Sequence, residues 1–299
     1  MKKLYFLLLI SANLSAQTIN FSGKLADQET KKPIVYANIS FLDSNKGIST
    51  LEDGTFNLKV DKKLLYKKIH ISCLNYKDTI VLAKELQNKT LFLKPKNFQL
   101  DEVLISKRLE KELTIDKYKR RDIKSSFGAV KGKPWIVTKF FKFDEKYKET
   151  PFLKEVIVYF DGLLFRHKSK FRVRLFKKDT ISNKPSLDLI AKDIIVKARK
   201  IDGKVKIDIS KFDLEFPQEG FFIGLERLHI PYNFHEYTYT KEGGKKKFKA
   251  IEVAPSFGAT YTKDSIQVFS SGKWRSFYFP QKFYEGNQIQ PAISLTLSN

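Results

Sequence analysis

Apolar and polar residues alternate with a period of two along most of this chain. Over residues 18–25, Ile19, Phe21, Gly23 and Leu25 fall on one side, which predicts a half-buried strand. A polar turn over 27–33 follows, and residues 35–42 repeat the pattern with Ala37, Ile39 and Phe41 inward. Asp53-Gly54 is a tight-turn dipeptide, and Phe56, Leu58 and Val60 alternate behind it as one face of a strand. Short β runs are also expected at 69–76, 91–93 and 100–105.

The strand signal lapses over 106–127, a charge-dense stretch. There Leu109, Leu113, Ile115 and Tyr118 have a weak amphipathic spacing that predicts a short linker helix. It returns after Ala129 with runs at 136–143, 152–159, 171–176, 205–209 and 221–228. Further runs lie at 248–253, 266–269, 274–278 and 293–297. Phe171, Val173 and Leu175 oppose Arg172, Arg174 and Phe176, so one face is apolar and the other carries charge. Many short strands separated by turns such as Asp202-Gly203 and Glu242-Gly-Gly-Lys245 predict a second β-sandwich, jelly-roll-like in character.

Composition changes the picture in three places. The formal net charge is +23, but of 56 basic residues we count 9 Arg and 47 Lys. Scattered lysine suits a solvated surface, whereas base readout and phosphate clamping favour arginine, so no nucleic-acid partner is expected. Residues 1–16 have a basic start, an apolar run and small residues before Gln17, the pattern of a secretory signal peptide cleaved after Ala16. No later stretch is long and apolar enough for a transmembrane helix. The lone Cys73 sits among Ile69, Ile71 and Leu74 and reads as a buried thiol rather than a reactive one.

The residues Gly23, Pro33-Ile34, Ala37, Gly47-Ile-Ser-Thr50, Asp53-Gly-Thr-Phe56 and Ser72-Cys-Leu-Asn-Tyr76 together resemble the carboxypeptidase regulatory-like domain, over about residues 18–105. The family more often has Gly where Asn75 stands, a mild departure because Asn also tolerates the left-handed conformation. The resemblance implies a transthyretin-like β-sandwich, a scaffold without chemistry of its own, common in envelope proteins of Bacteroidetes-type bacteria. The zinc peptidase that accompanies a relative of this module in carboxypeptidases has no counterpart here, because no His-Glu-x-x-His occurs.

The expected organisation is all-β: a signal peptide at 1–16, a regulatory-like sandwich at 17–105, a charged linker at 106–127 and a larger sandwich at 128–299. The richest cluster of functional side chains is His229-Ile-Pro-Tyr-Asn-Phe-His-Glu-Tyr-Thr-Tyr239. Its imidazoles stand six positions apart, not a recognised ligand spacing, so it reads as a surface loop with aromatic anchors. Tyr232, Tyr237 and Trp274 are the candidates for stacking on a sugar, with Trp135 a further platform. Acid pairs such as Glu219 with Glu226, or Asp213 with Glu215, are unremarkable among 33 acids. No catalytic, cofactor-binding or metal-ligating set is expected. The reading is a non-catalytic exported protein of the periplasm, outer membrane or cell surface, with an envelope protein partner. The alternatives are a carbohydrate-binding module, with a glycan or lipopolysaccharide as ligand, and an uncharacterised hydrolase.

Overall fold

The computed structural model describes residues 17–96, 111–128, 132–161, 167–199 and 203–299. The expected signal peptide and the expected strand at 100–105 lie outside them. The first seven strands are β1 Thr18–Asp27, β2 Asn38–Phe41, β3 Gly47–Ser49, β4 Thr55–Asp61, β5 Lys68–Ser72, β6 Thr79–Leu82 and β7 Thr90–Leu93. They form two sheets, β4-β1-β7 and β3-β2-β5-β6. Between the sheets Phe21, Ile39, Phe41, Phe56, Ile69 and Ile71 pack as one apolar core, fed by the period-two alternation of each strand. The turn before β4 needs its glycine. Gly54 has φ +77°, and a Cβ there would lie 2.5 Å from the Leu25 carbonyl oxygen.

Sixteen further strands among the described residues begin with β8 Glu112–Ile115, β9 Ser125–Phe127, β10 Ile136–Phe141, β11 Phe152–Tyr159 and β12 Ser169–Lys178. They continue with β13 Pro185–Asp188, β14 Ile194–Ala198, β15 Lys204–Asp208, β16 Phe221–Arg227, β17 Phe234–Thr240 and β18 Lys247–Val253. The last are β19 Phe257–Thr262, β20 Ile266–Ser270, β21 Lys273–Phe277, β22 Gln288–Pro291 and β23 Ile293–Ser298. A large sheet runs β13-β12-β16-β10-β20-β21, with β14 also pairing β12. It shares its core with a four-stranded sheet, β15-β11-β23-β8, and a three-stranded one, β22-β19-β9. All nine runs expected beyond residue 129 coincide with strands.

Among the described residues of this stretch, from 111 onward, the expected linker helix does not form. Leu113 and Ile115 are spaced by two, and in β8 both pack on the second core while the strand pairs with β23. The lone period-two pair outweighs the weak helical spacing because β23 offers a ready edge; Leu109 lies outside the described residues. The rest of the stretch is held from below by Lys139, which points into the second core from β10. Its ammonium reaches Asp116 at 2.8 Å and donates to the Ile293 carbonyl and the Tyr118 hydroxyl, both at 2.7 Å. Burial pushes its pKa down to about 8, against the opposing pull of Asp116.

Strand parity explains how the two units meet. In β2, β3 and β5 the inward residues fill the first core, and the outward ones are Asn38, Ser40, Ser49, His70 and Ser72. All five are buried nonetheless. They face the outer side of the large sheet, where Arg172, Arg174 and Glu226 alternate with core residues. The molecule is therefore a stack of sheets in which two apolar layers flank a polar one.

Candidate functional site

The polar layer centres on Arg172 and Glu226, which are 0% and 1% exposed. The Arg172 Nη1 donates to Glu226 Oε1 at 2.8 Å and to the Tyr36 carbonyl at 3.2 Å. Nη2 reaches the Val35 carbonyl at 3.4 Å, and Nε pairs with Asp193 at 2.7 Å. From the other side, the Asn38 amide donates to the same Glu226 oxygen at 2.7 Å, and Ser49 Oγ donates to Asn38 Oδ1. Arg174 grips Asp188 in a two-pronged pair at 2.8 and 2.6 Å and stands 3.7 Å from the second Glu226 oxygen. Such a layer is tolerable only because nearly every charge has a partner of opposite sign. Its rim is tied by Lys170, which pairs with Glu52 at 2.7 Å beside the Tyr36 hydroxyl.

Backbone and rings close the same joint. Ser49 and His229 exchange bonds, Ser49 N–H to the His229 carbonyl at 2.9 Å and His229 N–H to Ser49 Oγ at 3.0 Å. His70 contacts Asp78 at 3.0 Å, and its ring lies 6.0 Å from that of Phe269. The β20–β21 turn comes so close that a Cβ on Gly272 (φ +74°) would lie 2.7 Å from the His70 ring. The Cys73 thiol is buried alongside, and burial pushes its pKa up to about 12, which keeps it a protonated, unreactive filler.

The residues expected to stack on a sugar do not form one platform. Tyr232 is 40% exposed, with the ammonium groups of Lys168 and Lys170 at 5.7 and 5.1 Å from its ring centre. Tyr237 is half-buried on β17 and neighbours Tyr239. Trp274 lies on β21 in an aromatic cluster, its ring 5.2 Å from both Phe176 and Phe269. Trp135 is covered by the Arg227 guanidinium at 4.8 Å. The segment read as a surface loop is not one. His229 is buried in the joint, and residues from Phe234 onward are strand β17, paired to β18 over its whole length. Alternation of His235, Tyr237 and Tyr239 was the available signal. An open groove of about 320 Å³ lies elsewhere, between edge strands β14 and β15, lined by Ile194, Val196, Ile207, Phe212, Lys197 and Lys206.

A second buried charge sits at the end of the large sheet. Arg227 closes the core between Trp135 and Phe257, donating to the Pro255 carbonyl at 3.2 and 3.0 Å and to the Phe127 carbonyl. Burial works against its charge, yet a guanidinium so placed remains a cation. Nearby Glu252 has its pKa raised from 4.5 to about 7, chiefly by burial, with Arg227 opposing and Asp161 adding to the rise. Glu252 stands directly across from His235, whose ring stacks on His167 at 3.9 Å. Between pH 4.5 and about 7 the folded state therefore holds a proton that the unfolded chain has lost, so stability falls as pH rises through that window. Glu252→Gln should flatten the dependence, as read from urea midpoints at about pH 5 and about pH 7.5. An unchanged slope would remove Glu252 as its source.

The motif residues of the first sandwich have structural work in this geometry. Thr50 Oγ1 donates to the Ile34 carbonyl at 2.7 Å and accepts from Ala37 N–H at 2.9 Å, locking β2 to the turn after β3. Tyr76 donates to Asp27 at 2.9 Å, and Asn75 adopts φ +69°. Residues 21–105 match the family model of the CarboxypepD_reg-like domain. Comparison with curated proteins finds no match to the chain. In this regulatory-like domain Asn75 does more than stand in for glycine: its amide donates to the Ala191 carbonyl across the joint. The domain is thus fastened to the larger unit through its own signature turn.

Proposed function

We propose that the protein is an exported, non-catalytic scaffold of the cell envelope, in which two β-sandwich units act as one rigid body on a protein partner. The observation that carries this reading is the polar layer. The regulatory-like domain commits the outer face of its β3-β2-β5-β6 sheet to the neighbouring unit, and buried charges make that joint specific in register. Residues 1–16, with their basic start and apolar run, support export to the periplasm or outer membrane.

The test is cross-linking in living cells, capture with an antibody and mass spectrometry of what accompanies the chain. One dominant envelope protein, bound to a chain that begins near Gln17, is the expected result. A chain retaining residues 1–16 in the cytoplasm would overturn the export reading. Retention on polysaccharide without a protein partner would replace the scaffold with carbohydrate binding, for which the exposed Tyr232 is the first residue to mutate.

A further inference from the structure

The β17–β18 hairpin is the one two-stranded sheet among the described residues, and its tip has a chemistry unlike its base. Burial falls from Val253 and Glu252 at the base to Tyr239 and Lys247 near the tip. Seven residues of strand reach roughly 23 Å. The two strands end in a turn at Gly243 (φ +73°), closed by Gly244 N–H donating to the Lys241 carbonyl at 2.9 Å. Over residues 236–249 the hairpin carries five lysines (241, 245, 246, 247 and 249) against two glutamates (236 and 242), a net charge of +3.

The rings share one face of the hairpin. Tyr239 and Phe248 are cross-strand partners with stacked rings 5.6 Å apart, and Tyr237 follows at 6.0 Å from Tyr239. Lys241 and Lys246 place their ammonium groups 5.0 and 5.7 Å from the centre of the Phe248 ring. The Phe248 ring is therefore already flanked by Tyr239 and by cations. A sugar or a nucleobase needs a free ring face to stack on, and this tip does not offer one on Phe248. What it offers is ring edges, a Tyr239 that is 41% exposed, and ammonium groups on flexible stems. Amphipathic aromatics among lysines suit the boundary between headgroup and acyl chain, where rings settle and lysines reach for phosphate.

We infer that the β17–β18 hairpin docks on an anionic lipid surface, Tyr239 and Phe248 seated at headgroup depth and the tip lysines on lipid phosphates. This contact does not require the protein partner proposed above.

The experiment is co-sedimentation of the purified protein with vesicles of phosphatidylcholine, with or without phosphatidylglycerol. Binding only to the anionic vesicles, weakening as salt rises, is expected. Each lysine at an anionic surface contributes roughly fivefold, so K245Q/K246Q/K247Q should weaken partitioning by roughly 100-fold. The matched control K32Q/K59Q/K89Q removes the same charge from exposed positions on the first sandwich and should have a far smaller effect. Tyr239→Ser should weaken binding at constant charge, which separates ring insertion from attraction alone. All these side chains are exposed, and unchanged thermal melts confirm that the variants fold. No binding to anionic vesicles, or equal losses in the two lysine triples, would overturn the inference. So would a single-stranded oligonucleotide that binds with the same lysine dependence while vesicles do not.

Discussion

Arg172→Met should cost about 3–5 kcal/mol of stability, the loss expected when one partner of a buried ion pair is removed. The guanidinium that disappears holds Glu226, Asp193 and the carbonyls of Tyr36 and Val35 at once. Glu226 would then be a buried carboxylate whose nearest cation, Arg174 at 3.7 Å, is already committed to Asp188. Because that layer couples the two units, urea unfolding should change shape as well as midpoint, with the single transition separating into two. The double variant R172M/E226L should recover most of the loss, since it removes the stranded charge together with its partner. Equal instability of the single and double variants would mean that packing, not charge, holds the joint.

Arg227→Met carries the second large effect, about 2–5 kcal/mol, because it strands the carbonyls of Pro255 and Phe127 without their donor. The loss should depend on pH. Arg227 opposes the upward pKa shift of Glu252, so removing it makes the buried carboxylate still less favourable. The variant should therefore suffer more at about pH 8 than at about pH 5, where Glu252 is protonated in either protein. Arg227→Lys should recover only part of the stability, since an ammonium keeps the charge but cannot span both carbonyls as a planar fork. Denaturation curves of the three proteins at the two pH values decide the matter. A loss independent of pH would uncouple Arg227 from Glu252.

The apolar half of this architecture was legible in the sequence. Ile39 with Phe41, or Phe171 with Val173 and Leu175, announces a strand face by alternation, and each lies where that pattern puts it. The signature of the first domain was legible too, because Asp53-Gly54 and Thr50 solve local backbone problems that only certain residues solve. The polar layer was not. Asn38, Ser40 and Ser49 are the residues that a solvated strand face would also carry, and nothing local distinguishes water from a second sheet as their neighbour. Arg172 and Glu226, 54 positions apart, meet as cross-strand partners of β12 and β16, and Asn38, a further 134 before Arg172, joins them only when the units dock. The short strand β8 was hidden for a related reason: its pairing with β23 spans the whole of the second unit.

That pairing decides when the molecule can finish folding. A chain delivered from its N-terminus presents the first sandwich complete once Leu93 has emerged, but β23 lies between β11 and β8, inside its sheet and not at an edge. The second unit must keep two strands waiting, unpaired on that side, until residues 293–298 arrive. Closure over such a separation is slow, and open strand edges are templates for pairing with another chain. The six residues of β23 are thus the keystone of the larger unit, the strand that joins β11 to β8.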